Sequence, residues 1–406
     1  MTWVPVLEGS DFTAANLPYG IGQPADGRPR VVVALGDHAI DLERAQQAGL
    51  LDAAPVGIFS AGSLNGFMAC GPAVWRAVRE QVQAIVSGPP RPELLHEQRQ
   101  LDLLLPFVVA DYVDFYSSIH HATNLGRLFR PNGEPLLPNW RRLPVGYHGR
   151  AGTVVVSGTP IQRPWGLVAT DGEPRWQPTA ALDIELEVGF VVGVGSRLGD
   201  RVPTAAFAEH AFGVVLVNDW SARDIQAYEY QPLGPFLGKS FATTVSPWVV
   251  PLLALEPFRV EGPVQDPPVA SYLVRTAPWA LAIDLEVQLA TASSAEPVSL
   301  SHTTFADMYW TIDQHLAHAT ANGASTRTGD LFASGTVSGP TRGSEGSLIE
   351  MSRRGAEPIT LPGGDVRSFL LDGDRVILRG GCGRGDERVG FGACDGVITQ
   401  ARQGGS

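Results

Sequence analysis

The chain has 406 residues, 44% of them hydrophobic, and a formal net charge of −12. That length suits one large domain plus a small one, with a substantial core. The acidic balance argues against nucleic acid or an anionic membrane surface as the main partner, although a few arginines can still build a local anion site. The N-terminus, Met1-Thr-Trp-Val-Pro, has neither the basic nor the apolar region of a signal peptide, and no apolar run is long enough to cross a bilayer. Cys70, Cys382 and Cys394 are few and far apart, which suits inert thiols in a reducing cytoplasm better than a disulfide framework.

Residues 1–105 read as a separate small unit. Arg30–Leu35 and residues 39–42 predict short strands around a Gly36-Asp37 turn. Residues 72–86 have helical spacing, with Val74, Trp75, Val78, Val82 and Ile85 along one face. Ser87-Gly-Pro-Pro-Arg-Pro92 reads as a linker. From Leu103 short β-like segments dominate, at 153–156, 182–194, 214–217, 248–250, 283–289 and 376–378. One clear helix is predicted over 304–320, with Phe305, Tyr309, Ile312 and Leu316 on a stripe. With 46 glycines and 32 prolines the chain reads as turn-rich and mainly β. There is no internal repeat, and the Gly-Gly-Ser tail is the only low-complexity tract.

Leu182-Asp-Ile-Glu-Leu-Glu-Val188 alternates without a break. On a strand Asp183, Glu185 and Glu187 would share one face and four aliphatics the other. A solvated acidic face is the bland reading, and 283–289 repeats the alternation with no obvious chemistry. Two things favour a site. Neighbouring like charges on one face repel, and a cation would offset that. Further acids, Asp114 and Asp219, end other apolar runs. Carboxylate oxygens without cysteine or paired histidine select Mg²⁺ or Ca²⁺ over zinc.

The run 111–124 contains His120-His121. Histidine is the usual general base near neutral pH. On an extended segment adjacent residues point to opposite sides, so at most one of the two should face an ion. Glu350, inside Leu348-Ile-Glu-Met351, is a lone acid in an apolar run, an odd place unless it has a partner.

The densest stretch begins at Asn218-Asp-Trp-Ser-Ala-Arg-Asp-Ile-Gln226 and ends at Lys239-Ser240. After an apolar run at 212–217 it delivers a carboxylate, a guanidinium, an amide, two phenols (Tyr228, Tyr230) and an ammonium. Pro232-Leu-Gly-Pro-Phe-Leu-Gly238 gives it a rigid, turning path. Trp220, Phe236 and Phe241 are interleaved, as a packed wall behind a site requires.

Gly193, Gly195 and Gly199 follow a strand, and Asp219 ends the next, as in a dinucleotide-binding unit. The third glycine is one position late for G-x-G-x-x-G. The next helix starts near Thr204, away from the glycines. A simple turn is the better reading.

Taken together these segments resemble the fumarylacetoacetate hydrolase family over nearly the full length, more loosely over 1–105. The stretches that carry the resemblance are 111–124, Leu137-Pro-Asn-Trp140, Leu143-Pro-Val-Gly-Tyr-His-Gly-Arg150, Asp183-Ile-Glu-Leu-Glu187, Asn218–Gln226, Pro232–Ser240, Ser334-Gly-Thr-Val-Ser-Gly339 and Phe369-Leu-Leu-Asp-Gly-Asp374. The resemblance implies a mainly β fold with some α, a small SH3-like N-terminal barrel (1–105) followed by a larger mixed β-roll domain (106–406). It implies a cytoplasmic homodimer that takes a small dicarboxylate diketone and uses Mg²⁺ or Ca²⁺, with no organic cofactor. Asp114, Glu185, Glu187 and Asp219 would hold the ion, and Lys239 and Thr243 would lie with Asp219 at a second, structural one. His121, seven residues after Asp114, would be the base, oriented by Glu350. Arg223, Gln226 and Lys239 would meet the oxyanion and leaving carbon. Tyr116, Arg130, Tyr147, Tyr230, Thr336 and Gln226 would hold the substrate. The family commonly has Arg-Gln where this chain has Ile119-His120, which makes His120 a rival base. A related acylpyruvase or decarboxylase is the neighbouring chemical reading. A metal-stabilised binding module is the non-catalytic one, and the retention of His121 with Glu350 speaks against it.

Overall fold

The computed structural model describes residues 2–25 and 27–403, so Met1 of the N-terminal stretch and the Gly-Gly-Ser tail lie outside the described residues. The chain is mainly β, with curled sheets and short helices between them. The N-terminal sheet has five antiparallel strands in the order Leu95–Glu97, His38–Asp41, Arg30–Leu35, Tyr19–Pro24, Leu101–Leu104. Gly36 closes the hairpin between its second and third members at φ +55°, where a Cβ would also meet the Pro5 carbonyl at 2.6 Å. Helix Pro72–Ser87 starts with proline in its first turn and buries Trp75, Val78, Val82 and Ile85, as its spacing predicts.

The larger sheet runs Gly146–His148, Tyr112–Phe115, Leu331–Ala333, Leu186–Val192, Ala211–Asn218, Thr243–Val245, Val154–Val156. Its central members are apolar on both faces because both faces are covered. Val188, Phe190, Val214 and Leu216 pack towards a second sheet, which includes Asp284–Thr291, Arg375–Cys382 and Val389–Thr399. Val191, Phe212, Val215 and Val217 pack towards the N-terminal unit. There Phe212 lies edge-on to Trp75, ring centroids 5.3 Å apart. Burying one such side chain contributes about 1.5–3 kcal/mol.

Two expectations change. Thr304 ends a strand, and the predicted long helix is reduced to Ile312–Ala319. Between them the Tyr309 amide bonds to the Ser117 carbonyl, so Tyr309 is held by sheet-side contacts and not by a helical turn. Residues 119–129 form a helix, not an extended segment. Ser118 caps it, its Oγ accepting the His121 N–H at 3.2 Å.

The glycine-rich turn packs on protein. A Cβ at Gly193 would lie 2.4 Å from the Trp75 ring, and one at Gly195 would lie 2.4 Å from the Thr326 carbonyl. The helix after it, Phe207–His210, is a single turn. Cys382 and Cys394 are buried free thiols and Cys70 is half-buried. Among the described residues no helix is long and apolar enough to cross a membrane.

Candidate active site

The acidic alternation breaks where it matters. Leu182–Asp183 pairs with Ser221–Ala222, and the long strand restarts only at Leu186. All three acids are buried, whereas in Asp284–Thr291 the acid at 284 is exposed and Glu286 half-exposed. One pattern thus has two outcomes, because Leu186–Val192 is paired on both edges and covered on both faces.

Carboxylate oxygens of Asp114, Glu185, Glu187 and Asp219 all lie within 4.8 Å of one another. Asp114 sits in the strand parallel to Leu331–Ala333, Glu187 in the central strand, and Glu185 and Asp219 just beyond strand ends. The Gly335 N–H, at φ +76°, donates to Asp114 and Glu187 at 3.1 Å each, and no side chain fits there because the Phe115 carbonyl would be 2.1 Å from a Cβ. Asp183 stands apart and turns to Arg223, with Nε to Oδ2 at 2.8 Å.

Two cations meet the acids. Lys239 Nζ bonds to Glu185 and, at 2.7 Å, to Asp219; Arg223 Nη1 lies 2.7 Å from Glu185. Burial opposes both charges, but the adjacent carboxylates hold Lys239 and Arg223 protonated. Burial also opposes the charge on Glu185, yet Lys239, Arg223 and His121 hold its pKa at about 2. Asp114 and Glu187 go the other way. Burial first, then the neighbouring acids, push both well above the usual carboxylate range. Among the described residues the two cations pair with Asp183, Glu185 and Asp219, so Asp114 and Glu187 stand in a buried space with no cationic partner. Among the same residues Glu187 Oε1 has no hydrogen-bond partner. A buried all-oxygen set with more carboxylates than cations and an unpaired oxygen fits a hard divalent cation. Thr243 Oγ1 and the Tyr147 hydroxyl donate to Asp219 at 2.8 and 2.7 Å. Lys239, as an ammonium, has no lone pair to offer an ion.

His121 is buried, and its Nδ1 lies 2.7 Å from Glu350 Oε2. That bond leaves Nε2 as the acceptor on the cavity side. Burial opposes ionisation of Glu350, but His121 and the hydrogen bonds around it lower its pKa. Ser338, Ser347 and Asn124 donate to the same carboxylate at 2.9, 2.7 and 2.9 Å. Those three helpers went unrecognised in the sequence, although Ser338 and Asn124 lie within quoted motifs. His120 is half-buried and does not line the cavity.

A cavity of about 400 Å³ joins these groups. Asp114, Glu185, His121, Arg223, Gln226, Lys239, Tyr116, Tyr147 and Thr336 line it. Arg130, Tyr230 and Leu233 are exposed at its mouth, where Arg130 Nη2 donates to the Pro135 carbonyl at 2.6 Å. Glu187, Asp219, Thr243 and Glu350 stand behind its walls. Gln226 Oε1 accepts from Arg223 Nη1 at 3.2 Å, while Arg223 Nη2 and Thr336 Oγ1 are buried without a partner among the described residues. Tyr116 sets its ring against His121, centroids 5.3 Å apart. The cavity therefore offers an imidazole base, free N–H donors for a developing oxyanion and a cluster of acids for an ion.

Two protein families match the chain: fumarylacetoacetase N-terminal over residues 15–109 and fumarylacetoacetate hydrolase C-terminal over residues 112–395. The human fumarylacetoacetase is 46% identical over 99% of both chains. The Arabidopsis thaliana fumarylacetoacetase is 43% identical over 98% of both. Among solved structures, a fumarylacetoacetate hydrolase from Exiguobacterium antarcticum aligns with TM-score 0.53 and 17% identity over 95% of this chain and all of that one. A putative HpcE protein from Mycobacterium smegmatis aligns with TM-score 0.56 and 16% identity over 94% and 99%. At those identities the two structures speak for the fold alone.

Proposed function

Because the chain belongs to the fumarylacetoacetate hydrolase family, we propose that this cavity hydrolyses the carbon–carbon bond of fumarylacetoacetate to give fumarate and acetoacetate. The enzyme is a carbon–carbon bond hydrolase acting on a ketonic substrate. The observation that carries this reading is one cavity lined by both His121, which Glu350 backs at 2.7 Å, and Arg223, whose Nη2 has no partner among the described residues, beside four clustered carboxylates.

His121 Nε2 takes a proton from water while Glu350 fixes the ring and stabilises the imidazolium. The resulting hydroxide attacks the carbonyl next to the fumaryl double bond. Arg223, Gln226 and Lys239 donate to the oxyanion, and loss of one such donor costs about 10²–10³ in turnover. The carbon–carbon bond breaks towards the acetoacetate half, whose enolate carbon takes a proton from the Lys239 ammonium. The carboxylic acid so formed returns its proton to Lys239 and leaves as fumarate, and the imidazolium gives up its proton to solvent. Arg130 recognises a substrate carboxylate at the mouth, where a guanidinium can bind two oxygens at once. Tyr116, Tyr147, Tyr230 and Thr336 shape the remainder.

Asp114, Glu185, Glu187 and Asp219 would hold the ion, which when bound supplies Lewis-acid polarisation of the diketone. The all-oxygen set supports Mg²⁺ or Ca²⁺. Thr243 and Lys239 serve as donors to Asp219. The division at residue 105, the homodimer and the cytoplasmic location belong to the same proposal. The test follows fumarylacetoacetate absorbance with purified protein. Activity should vanish with chelator and return with Mg²⁺ or Ca²⁺; full activity in protein shown metal-free by elemental analysis would reject it.

A further inference from the structure

Asp183 belongs to the acidic stripe by sequence, yet its work lies elsewhere. It is fully buried, and its two oxygens accept four hydrogen bonds. Oδ2 takes Arg223 Nε at 2.8 Å and the Ile349 N–H at 3.1 Å. Oδ1 takes the Leu348 N–H at 2.7 Å and its neighbour Ile184 N–H at 2.8 Å. Leu348 and Ile349 open the single turn that carries Glu350, and Ser347, at its start, gives that turn no side-chain cap because its hydroxyl bonds to Glu350 instead. Asp183 satisfies the orphan N–H groups in its place. Among the described residues no other side chain hydrogen-bonds both Arg223 and the backbone of that turn.

One buried carboxylate thus ties a guanidinium that lines the cavity to the turn behind an imidazole that lines it too. Hydroxide formed at His121 must reach a carbonyl whose oxygen faces Arg223. A misplacement of about 1 Å between such groups costs about 10²-fold in rate. We propose that Asp183 is a positioning residue that sets the separation of Arg223 from the His121–Glu350 pair. It is neither an ion ligand nor a group that touches substrate. The inference rests on the reading of Arg223 and Glu350 as catalytic groups.

The test is Asp183→Asn. The amide keeps one acceptor oxygen but must turn its NH₂ on either Arg223 Nε or the Glu350 turn. Turnover should fall about 10²-fold, with KM and calorimetric Ca²⁺ affinity near the parent values. In a Glu350→Gln background the further loss should be smaller than in the parent, because one of the two tethered partners is already disabled. A residue that merely holds the fold together would lower the melting temperature without this split between kcat and KM. Asp183→Glu, run in parallel, keeps the buried charge and is the deciding variant should the amide not fold. Its extra methylene shifts the carboxylate, and kcat should drop at unchanged KM. Parent-like kcat in a folded Asp183 variant, or a change confined to KM, overturns the proposal. If Arg223→Gln and Glu350→Gln themselves stay active, the reading of the site fails first. If they are inactive while the Asp183 variants work, only this inference fails.

Discussion

Nδ1 of His121 lies 2.7 Å from Oε2 of Glu350, although the two residues are 229 positions apart. Both groups are buried, and three further donors hold the carboxylate in place. A carboxylate so constrained fixes which imidazole nitrogen carries the proton, and so which one is free to act as a base.

Removal of the base should be the costliest single change. His121→Ala is expected to lose about 10²–10⁴ in turnover, with ion binding intact. Glu350→Gln should lose nearly as much, and the double variant little more, since base and orienter act as one unit. His120→Ala should cost far less. Turnover at saturating substrate, with bound metal quantified, decides the matter. An inactive His120→Ala beside an active His121→Ala would move the assignment by one residue.

Glu187 should couple ion binding to stability. Burial and neighbouring acids already drive it towards its protonated form, which glutamine imitates. Glu187→Gln should raise the melting temperature of ion-free protein by the equivalent of about 1–4 kcal/mol of relieved repulsion. It should also remove most of the rise that Ca²⁺ gives the parent, which is about 2.7 kcal/mol at a hundredfold excess over Kd. A variant that melts lower without ion, and still responds fully to Ca²⁺, contradicts this account.

His315 should make the fold acid-sensitive. It is buried, stacks on Phe115 at 4.2 Å and meets Ser117 Oγ at 2.7 Å, and burial pushes its pKa from 6.5 down to about 3. The unfolded chain therefore binds the extra proton between those values, so stability is lost as pH falls through that window. The slope is about 1.4 kcal/mol per pH unit for one full proton. Asp313, raised by burial from 3.8 to about 6, acts in the opposite sense and adds stability as pH falls below that value. In His315→Gln the loss of urea midpoint between neutral and mildly acidic pH should disappear, and with Asp313 acting alone the midpoint should rise relative to the parent. A fall as large as the parent's or larger would count against His315.

The sequence made the ingredients of the site legible better than their arrangement. Acids at the ends of apolar runs were visible, and Asp114, Glu185, Glu187 and Asp219 do come together. Strict alternation, however, joined Asp183 to Glu185 and Glu187. The chain bends between two separately paired strands, and that bend has no signature in hydrophobic pattern. The helix at 119–129 was legible: Ile119, Ala122, Leu125 and Leu128 recur every three residues and Ser118 offers a cap, so the extended reading of the histidine pair passed over an available helical signal. At 304–320 the opposite happened. A stripe at helical spacing misled, because Phe305, in a short 3-10 turn, and Tyr309, outside any helix, are buried by different neighbours. The glycines at 193 and 195 imitate a cofactor loop because close packing and phosphate binding both demand the absence of a side chain.

The parallel pairing of Tyr112–Phe115 with Leu331–Ala333 has a consequence for how the enzyme is made. During synthesis the strand that carries Asp114 emerges long before the strand beside it, and His121 emerges long before Glu350. Until then the growing chain holds acids meant for one spot with nothing to draw them together, and an open strand edge. Pairings this distant in sequence close slowly. A nascent chain should thus depend on protection from its surroundings until the last quarter appears, and a message cut short before Glu350 should yield an aggregation-prone product and not a weak enzyme.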